Sequence, residues 1–330
     1  MQKNCWQDDL PALPLLPVLC GDLVCEAAVV GGGFTGLLTA FFLREKGVHT
    51  VVLEAGLPGC GALGASSGLL TLTGATTFSH LLTVLGPQRA RRFLSRQRQA
   101  LCDYEALIKR LALSCSFRRL PLFLAFSSER QRDRETATLR ALIPEYTFAD
   151  GRLLCLPKQG QLHPMRFLYG LLPHLQLFIH SPVLAFRGGV LHTPQGRVYA
   201  KHVVFTAPLV PQPSLLRTHC LALDSASMPM GILHSLAPDA LTLSPTERGV
   251  LLTSRMGMAR LLHTAGHLWP DAVPRAHWSC PAPLRSLPAL HWLPGDSCNQ
   301  FYALGFSAFS PLSALSAAQF LARRIAETKQ

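Results

Sequence analysis

Between residues 25 and 54 the chain reads CEAAVVGGGFTGLLTAFFLREKGVHTVVLE, and few folds accommodate such a run. Residues 25–30 predict a short buried strand, and three consecutive glycines then force a turn. Residues 35–46 predict a helix whose apolar face carries Leu37, Leu38, Phe41 and Phe42; Gly47 closes it, and 49–54 predict a second strand. A strand, helix and strand within about 30 residues is the length of a right-handed βαβ unit. Within it Gly31-x-Gly33-x-x-Gly36 opens the helix. Gly31 permits the tight turn, Gly33 lets backbone approach a pyrophosphate, and Gly36 lets helix and sheet pack closely. The helix start offers free N–H groups to phosphate. Glu54 ends the second strand 18 residues past Gly36, where a carboxylate can accept ribose hydroxyls. The pattern predicts dinucleotide binding without distinguishing one dinucleotide from another.

Composition narrows the rest. The chain has 330 residues, 48% of them hydrophobic and 15% charged, so it can bury a substantial core and need not be disordered. The formal charge of +12 attracts an acidic substrate, a nucleotide, nucleic acid or a membrane surface without choosing among them. Ten cysteines with no CxxC pair point to reduced thiols rather than a disulfide framework or a zinc site. The apolar stretch 10–19 follows Asp8 and Asp9 and contains three prolines, unlike a cleavable signal. The uncharged run 27–43 is short for a membrane span and has glycines in its middle. A cytoplasmic protein with no membrane span and no metal is the expectation.

Further along, a Gly/Ser/Thr/Ala-rich loop over 56–80 leads into a helix over 87–112, with Leu94, Leu101, Tyr104, Ile108 and Leu111 at helical spacing. Its other face carries Arg89, Arg91, Arg92, Arg96 and Arg98, and 129–142 repeat this style. A helix is expected at 163–173, then strands through 176–207, a proline-rich, strand-like stretch over 211–300, and a last helix from Ser310-Pro311 to about Ala326.

The segments VVGGGFTGLLTAFFLREKG, VVLEAG and GCGALGASSGLL within 26–70 resemble the D-amino-acid oxidase superfamily of flavoproteins. The likeness is to the branch holding glycine, sarcosine and γ-glutamylputrescine oxidases. It resumes at GQLHPMRFLYGLL (160–172), LHTPQGRVYAKHVVFTAP (191–208) and NQFYALGFSAFSPLSALSAAQFLARRI (299–325). The resemblance implies an α/β protein: a three-layer, Rossmann-like FAD-binding domain interleaved with an α+β substrate domain on an antiparallel sheet. It places the first in 1–80, 156–210 and 281–330, and the second in 81–155 and 211–280. The cofactor it implies is FAD, held by Gly31, Gly33, Phe34, Thr35, Gly36, Glu54 and Ala55. The loop residues Gly61, Gly64, Ala65, Ser66, Ser67, Gly68 and Leu69 would join them, with Val183, Thr206, Ala207 and Gly305. The turn Phe306, Ser307, Ala308, Phe309 and Ser310 completes the set.

The implied activity is oxidation of an amine or amino acid, with hydride passing from the C–H beside nitrogen to flavin N5. Arg255 and Arg260, read as strand residues on the substrate face, are the candidates for pairing a carboxylate, and Tyr302 for a hydrogen bond at the flavin edge. The chain departs from the family in three places. Phe306–Ser310 replaces a glycine-rich turn, Arg285 stands where the family has aspartate, and the region 209–270 is shortened. These departures leave open a flavin-binding chain with impaired turnover beside a partner subunit. The basic helices over 87–140 leave open an oxidase acting on a modified RNA base, with nucleic acid as partner.

Overall fold

The computed structural model describes residues 4–8, 10–61, 66–72, 76–143, 147–149, 153–207, 217–238, 240–281, 289–293, 298–305 and 311–328. The expected glycine turn is built as read. Strand β1 (Gly21–Val30) ends in Ala27–Val30, all buried; α1 (Phe34–Glu45) follows, and β2 (Thr50–Leu53) returns beside β1 in parallel. Gly47 leaves α1 with φ +70. Then come β3 (Leu69–Leu70), α2 (Phe78–Arg110), β4 (Arg118–Ala125), α3 (Glu129–Leu142), β5 (Thr147–Ala149) and β6 (Leu153–Gln161). Helix α2 starts earlier than the apolar periodicity predicts, capped by the Thr77 hydroxyl, and breaks at Gly86 (φ 71, ψ 167) ahead of Pro87.

Helix α4 (Pro164–Leu171) leads to β7 (Gln176–Phe178), β8 (Ala185–Arg187), β9 (Val190–His192) and β10 (Gly196–Phe205). The second half holds β11 (Arg217–Asp224), β12 (Ile232–Ser235), β13 (Thr242–Pro245), β14 (Gly249–Ser254), α5 (Met258–Leu268) and β15 (Val273–Pro281). It ends with β16 (Ala289–Leu293), β17 (Asn299–Leu304) and α6 (Pro311–Glu327). The strand-like reading of 211–300 therefore misses one helix: Leu261 and Ala265, one turn apart, bury α5 against β11 and β14.

Two sheets result, in an α/β arrangement. The first runs β16-β17-β10-β1-β2-β7, parallel except for β16, with the β8–β9 ribbon attached to β10. Helices α1 and α6 cover one face, over Ala27, Val29, Val204 and Phe301. The β8–β9 ribbon covers the other, over Ala28, Val30, Val203 and Phe205. That makes three layers. The second sheet runs β15-β11-β14-β13-β12-β4-β6-β3 and is antiparallel apart from β12 beside β4. β3 and most of β6, which the sequence division assigns to the FAD-binding segments, belong to this second sheet, because Leu69 pairs with Gln161 and Gln161 with Arg118. Among the described residues, no helix is long and apolar enough to cross a membrane.

Candidate cofactor and substrate site

The carboxyl ends of β1, β2, β10 and β17 lie side by side, and Gly31, Gly36, Glu54, Thr206 and Ala207 of the expected residues meet there. Gly31 has φ +113, and a Cβ on it would meet Thr206 Oγ1 at 2.7 Å. A Cβ on Gly36 would lie 1.9 Å from the Gly31 carbonyl oxygen, so turn and helix touch through bare backbone. Gly33 differs: it is the N-cap of α1, and among the described residues no side chain caps the helix there and nothing lies within 4 Å of where its Cβ would be. The first N–H groups of α1 thus open onto free space, as a pyrophosphate requires. The Glu54 carboxylate accepts the Gly32 N–H at 2.5 Å and the Gly56 N–H at 2.8 Å, one on each oxygen. Each oxygen keeps a lone pair for a ribose hydroxyl. The sequence reading missed Gly32, whose Cβ would sit 2.9 Å from Glu54 Oε2.

Thr206 closes the floor by donating to the Val30 carbonyl at 2.9 Å, with Ala207 next to it. Half-buried Val183 follows Ser181, whose N–H bonds the Glu54 carbonyl at 2.9 Å, so this loop comes to the same edge. Gly305 (φ +81) ends β17. Phe34 is a packing residue, with its ring against Tyr104 and Phe167, while Thr35 is buried within the first turn of α1 and Ala55 is exposed. Gly64, Ala65 and the turn Phe306–Ser310 lie outside the described residues; Gly61 is exposed. Ser66 and Ser67 are fully buried and lead through Gly68 to buried Leu69. The Ser66 carbonyl accepts the Trp6 indole N–H at 2.6 Å, and Ser66 Oγ accepts the Gly68 N–H. Ser67 Oγ is buried with no partner, an orphan that a bound polar group would satisfy.

Residues 26–324 match the family model of the FAD dependent oxidoreductases (DAO). The chain belongs to this family. Its cofactor is FAD, and the open cradle at Gly33, the acceptor Glu54 and the orphaned Ser67 hydroxyl fit that group. The γ-glutamylputrescine oxidoreductase of Escherichia coli is 34% identical over 117 residues, 36% of this chain and 26% of the relative. A Rieske 2Fe-2S iron–sulfur protein of Bacillus subtilis is 24% identical over 174 residues, 49% of this chain and 34% of the relative. The chain thus aligns with about a third or less of the length of these relatives. Among solved structures, glycine oxidase from Geobacillus kaustophilus superposes with a TM-score of 0.75 at 20% identity, covering 93% of this chain and 96% of the other. L-proline dehydrogenase from P. horikoshii gives 0.74 at 12% identity, covering 94% and 95%.

In this family member the second sheet turns one face inward. Leu221, Leu243 and Leu252 pack under α5, so their neighbours Cys220, Thr242 and Thr253 point the other way by strand alternation. On that side Cys220, Ala222, Leu251 and Trp278 share a core with the helix-covered face of the first sheet. Register lines up His234, Thr242, Thr253, Cys220 and Trp278 across β12, β13, β14, β11 and β15. The Thr253 hydroxyl and the Trp278 indole N–H are buried without partners. His234 Nδ1 lies 2.8 Å from Thr242 Oγ1, and its pKa is pushed down to about 4 by burial and, second, by the charge of Arg255. His234 is therefore neutral at pH 7. None of the row's members stood out in the sequence.

The residues expected on the substrate face do not lie in a strand, although the charge of Arg255 is felt at His234. Past Ser254 the chain leaves the strand and turns at Gly257 into α5 instead of continuing extended. This leaves Arg255 exposed at the bend and Arg260 exposed on the outer helix, so the strand reading of both is corrected. Tyr302 stacks on Phe205 at 5.0 Å under the β8–β9 ribbon and donates its hydroxyl to Gln300 at 2.8 Å.

The histidine gives a pH prediction. Its folded pKa lies below the usual 6.5, so between pH 6.5 and about 4 the unfolded chain binds the extra proton and stability falls with pH. The loss is expected to reach at most about 3 kcal/mol. Urea titrations across that window should show His234→Gln removing this part of the slope relative to wild type; identical slopes would refute it.

Proposed function

We propose that this chain oxidises the C–H bond beside the nitrogen of an amine or amino acid. The observation that carries this reading is the built FAD cradle at Gly31–Gly36 and Glu54 in a member of this oxidoreductase family. It is supported by relatives named for γ-glutamylputrescine, glycine and L-proline. Bound FAD would supply the two-electron acceptor for the hydride. The α1 N-terminus holds the pyrophosphate, Glu54 the ribose, and Ser67 a polar atom of the cofactor. On the substrate side the row across the second sheet is buried and the charge of Arg255 is felt at His234, and desolvation together with a nearby cation favours the uncharged amine that gives up hydride. Thr253 Oγ1 and Trp278 Nε1 orient the substrate through its acceptor atoms.

The test is absorbance between 350 and 500 nm, followed by anaerobic titration with a panel of amines and amino acids. A yellow protein bleached by one of them is the expected result. Protein that cannot be reconstituted with FAD sinks the reading, and yellow protein that no amine reduces points to flavin binding without turnover. A finer prediction concerns Thr253→Val, which removes an unpaired buried hydroxyl at constant shape. It should hold or raise stability by about 1 kcal/mol while lowering kcat/KM about tenfold, as thermal melts and steady-state kinetics would show. Unchanged kcat/KM would remove Thr253 from the substrate wall.

A further inference from the structure

A cavity of about 90 Å³ opens at the seam between the N-terminal turn and the second sheet, away from the glycine cradle. Its walls carry four guanidinium groups, from Arg118, Arg166, Arg248 and Arg275, against the carboxylates of Asp8 and Glu247. Two arginines are already neutralised: Arg166 pairs with Glu247 at 2.7 Å and Arg248 with Asp224 at 3.1 Å. Arg275, 14% exposed, reaches Asp224 at 3.4 Å and Asp8 only at 3.9 Å, and its Nε–H is buried with no hydrogen-bond acceptor.

Among the described residues Arg118 has no carboxylate in ion-pair contact. Its Nε–H donates to Gln161 Oε1 at 2.9 Å and its Nη2 to the Pro245 carbonyl at 2.7 Å, leaving Nη1 uncommitted. The Arg118 donor also fixes the orientation of the Gln161 amide, since only oxygen can accept there. Gln161 is 3% exposed, and its NH₂ therefore stands on the cavity wall, buried, with no acceptor. Three uncommitted donor groups and an excess of positive charge face one small space, and such a wall is matched by planar or tetrahedral oxygen acceptors.

We propose that this cavity binds an oxyanion, a carboxylate or phosphate group, through Arg118, Gln161 and Arg275. The volume admits one such group and a water or two. Because Cys5, Trp6 and Asp8 form one wall and Trp6 also holds the Ser66 carbonyl, the anion joins the N-terminal turn to the sheet beside the loop at 66–68. Its occupancy stabilises the folded chain by an amount that grows with the logarithm of the free anion above its dissociation constant, whatever substrate is oxidised.

The experiment uses the flavin-loaded protein melted in rising inorganic phosphate, acetate or chloride at matched ionic strength. A rise in Tm that follows the logarithm of phosphate or acetate concentration above its dissociation constant, and none with chloride, is expected; the preferred anion identifies which oxyanion the cavity takes. Arg118→Gln should weaken the apparent affinity at least about tenfold, while Arg132→Gln, at a half-buried residue on α3 outside the cavity lining, should leave it unchanged. Equal responses to all three anions, or equal losses in both variants, would overturn the site in favour of general charge screening. If Arg118→Gln does not fold, calorimetric titration of the wild type with phosphate and with acetate decides: one saturable site supports the proposal, and no heat with either ends it. Neither result depends on whether an amine is oxidised.

Discussion

Gly36→Ala is expected to cost the chain its fold around α1 and with it the cofactor, whereas Gly33→Ala, three residues earlier, should spare the fold and lose only the cofactor. The methyl group at position 36 would stand 1.9 Å from the Gly31 carbonyl oxygen. Both atoms belong to backbone that β1 and α1 hold in place, so no side chain can give way. Overpacking of this kind costs about 3 kcal/mol or more. At position 33 the backbone is extended (φ −91, ψ −173), which alanine adopts freely, and the space is open. The apoprotein should therefore change by no more than about 0.5 kcal/mol. The same methyl group would project where the pyrophosphate has to lie, and a clash worth about 1–3 kcal/mol weakens binding roughly ten- to a hundredfold. Melting of the two apoproteins by circular dichroism and FAD titration by flavin fluorescence separate the cases. Gly33→Ala binding FAD like wild type would show that the cradle holds something other than a pyrophosphate.

That pair of residues also shows what is legible in a sequence and what is not. Gly31, Gly33, Gly36 and Glu54 lie within one βαβ unit, so local spacing reports their geometry directly. The parallel strand β10 falls within the expected strands through 176–207 and closes on the same edge. The row His234, Thr242, Thr253, Cys220 and Trp278 has no such signature. Its members come from five strands, on three of which they neighbour the buried Leu221, Leu243 and Leu252, and only antiparallel register brings them side by side. Arg255 and Arg260 mislead for the converse reason. The run VLLTSRM looks extended, yet tertiary packing of Leu261 and Ala265 draws the chain into α5. Asp8, Arg118 and Arg275 are separated by more than a hundred positions in each step and meet only in the fold.

Trp6 is the furthest such case. The stretch around it reads only as a polar lead-in to a proline-rich segment, but the indole is 6% exposed and its N–H bonds the Ser66 carbonyl at 2.6 Å. The ring meets His163 edge-on, with centroids 5.0 Å apart. Asn4 orders the turn beneath it by accepting the Trp6 N–H at 3.0 Å. Trp6→Ala removes all of this packing, and a buried tryptophan truncated to alanine costs about 3–5 kcal/mol. The segment is tied down again at Leu19, whose N–H donates to Ser181 Oγ at 3.0 Å, so the loss is confined to the turn and the loop it holds. Trp6→Phe keeps the ring contact and loses only the hydrogen bond, worth about 1 kcal/mol. Both variants should keep the far-ultraviolet spectrum of the wild type, melt in that order of stability, and release FAD faster in the same order, because the Ser66–Gly68 loop loses its tether. Stopped-flow measurement of FAD release reads the effect. If Trp6→Ala melts earlier yet releases FAD at the wild-type rate, the tether serves the fold alone, and the loop at Ser66 and Ser67 is held from its other side by the Leu162–Gly68 hydrogen bond.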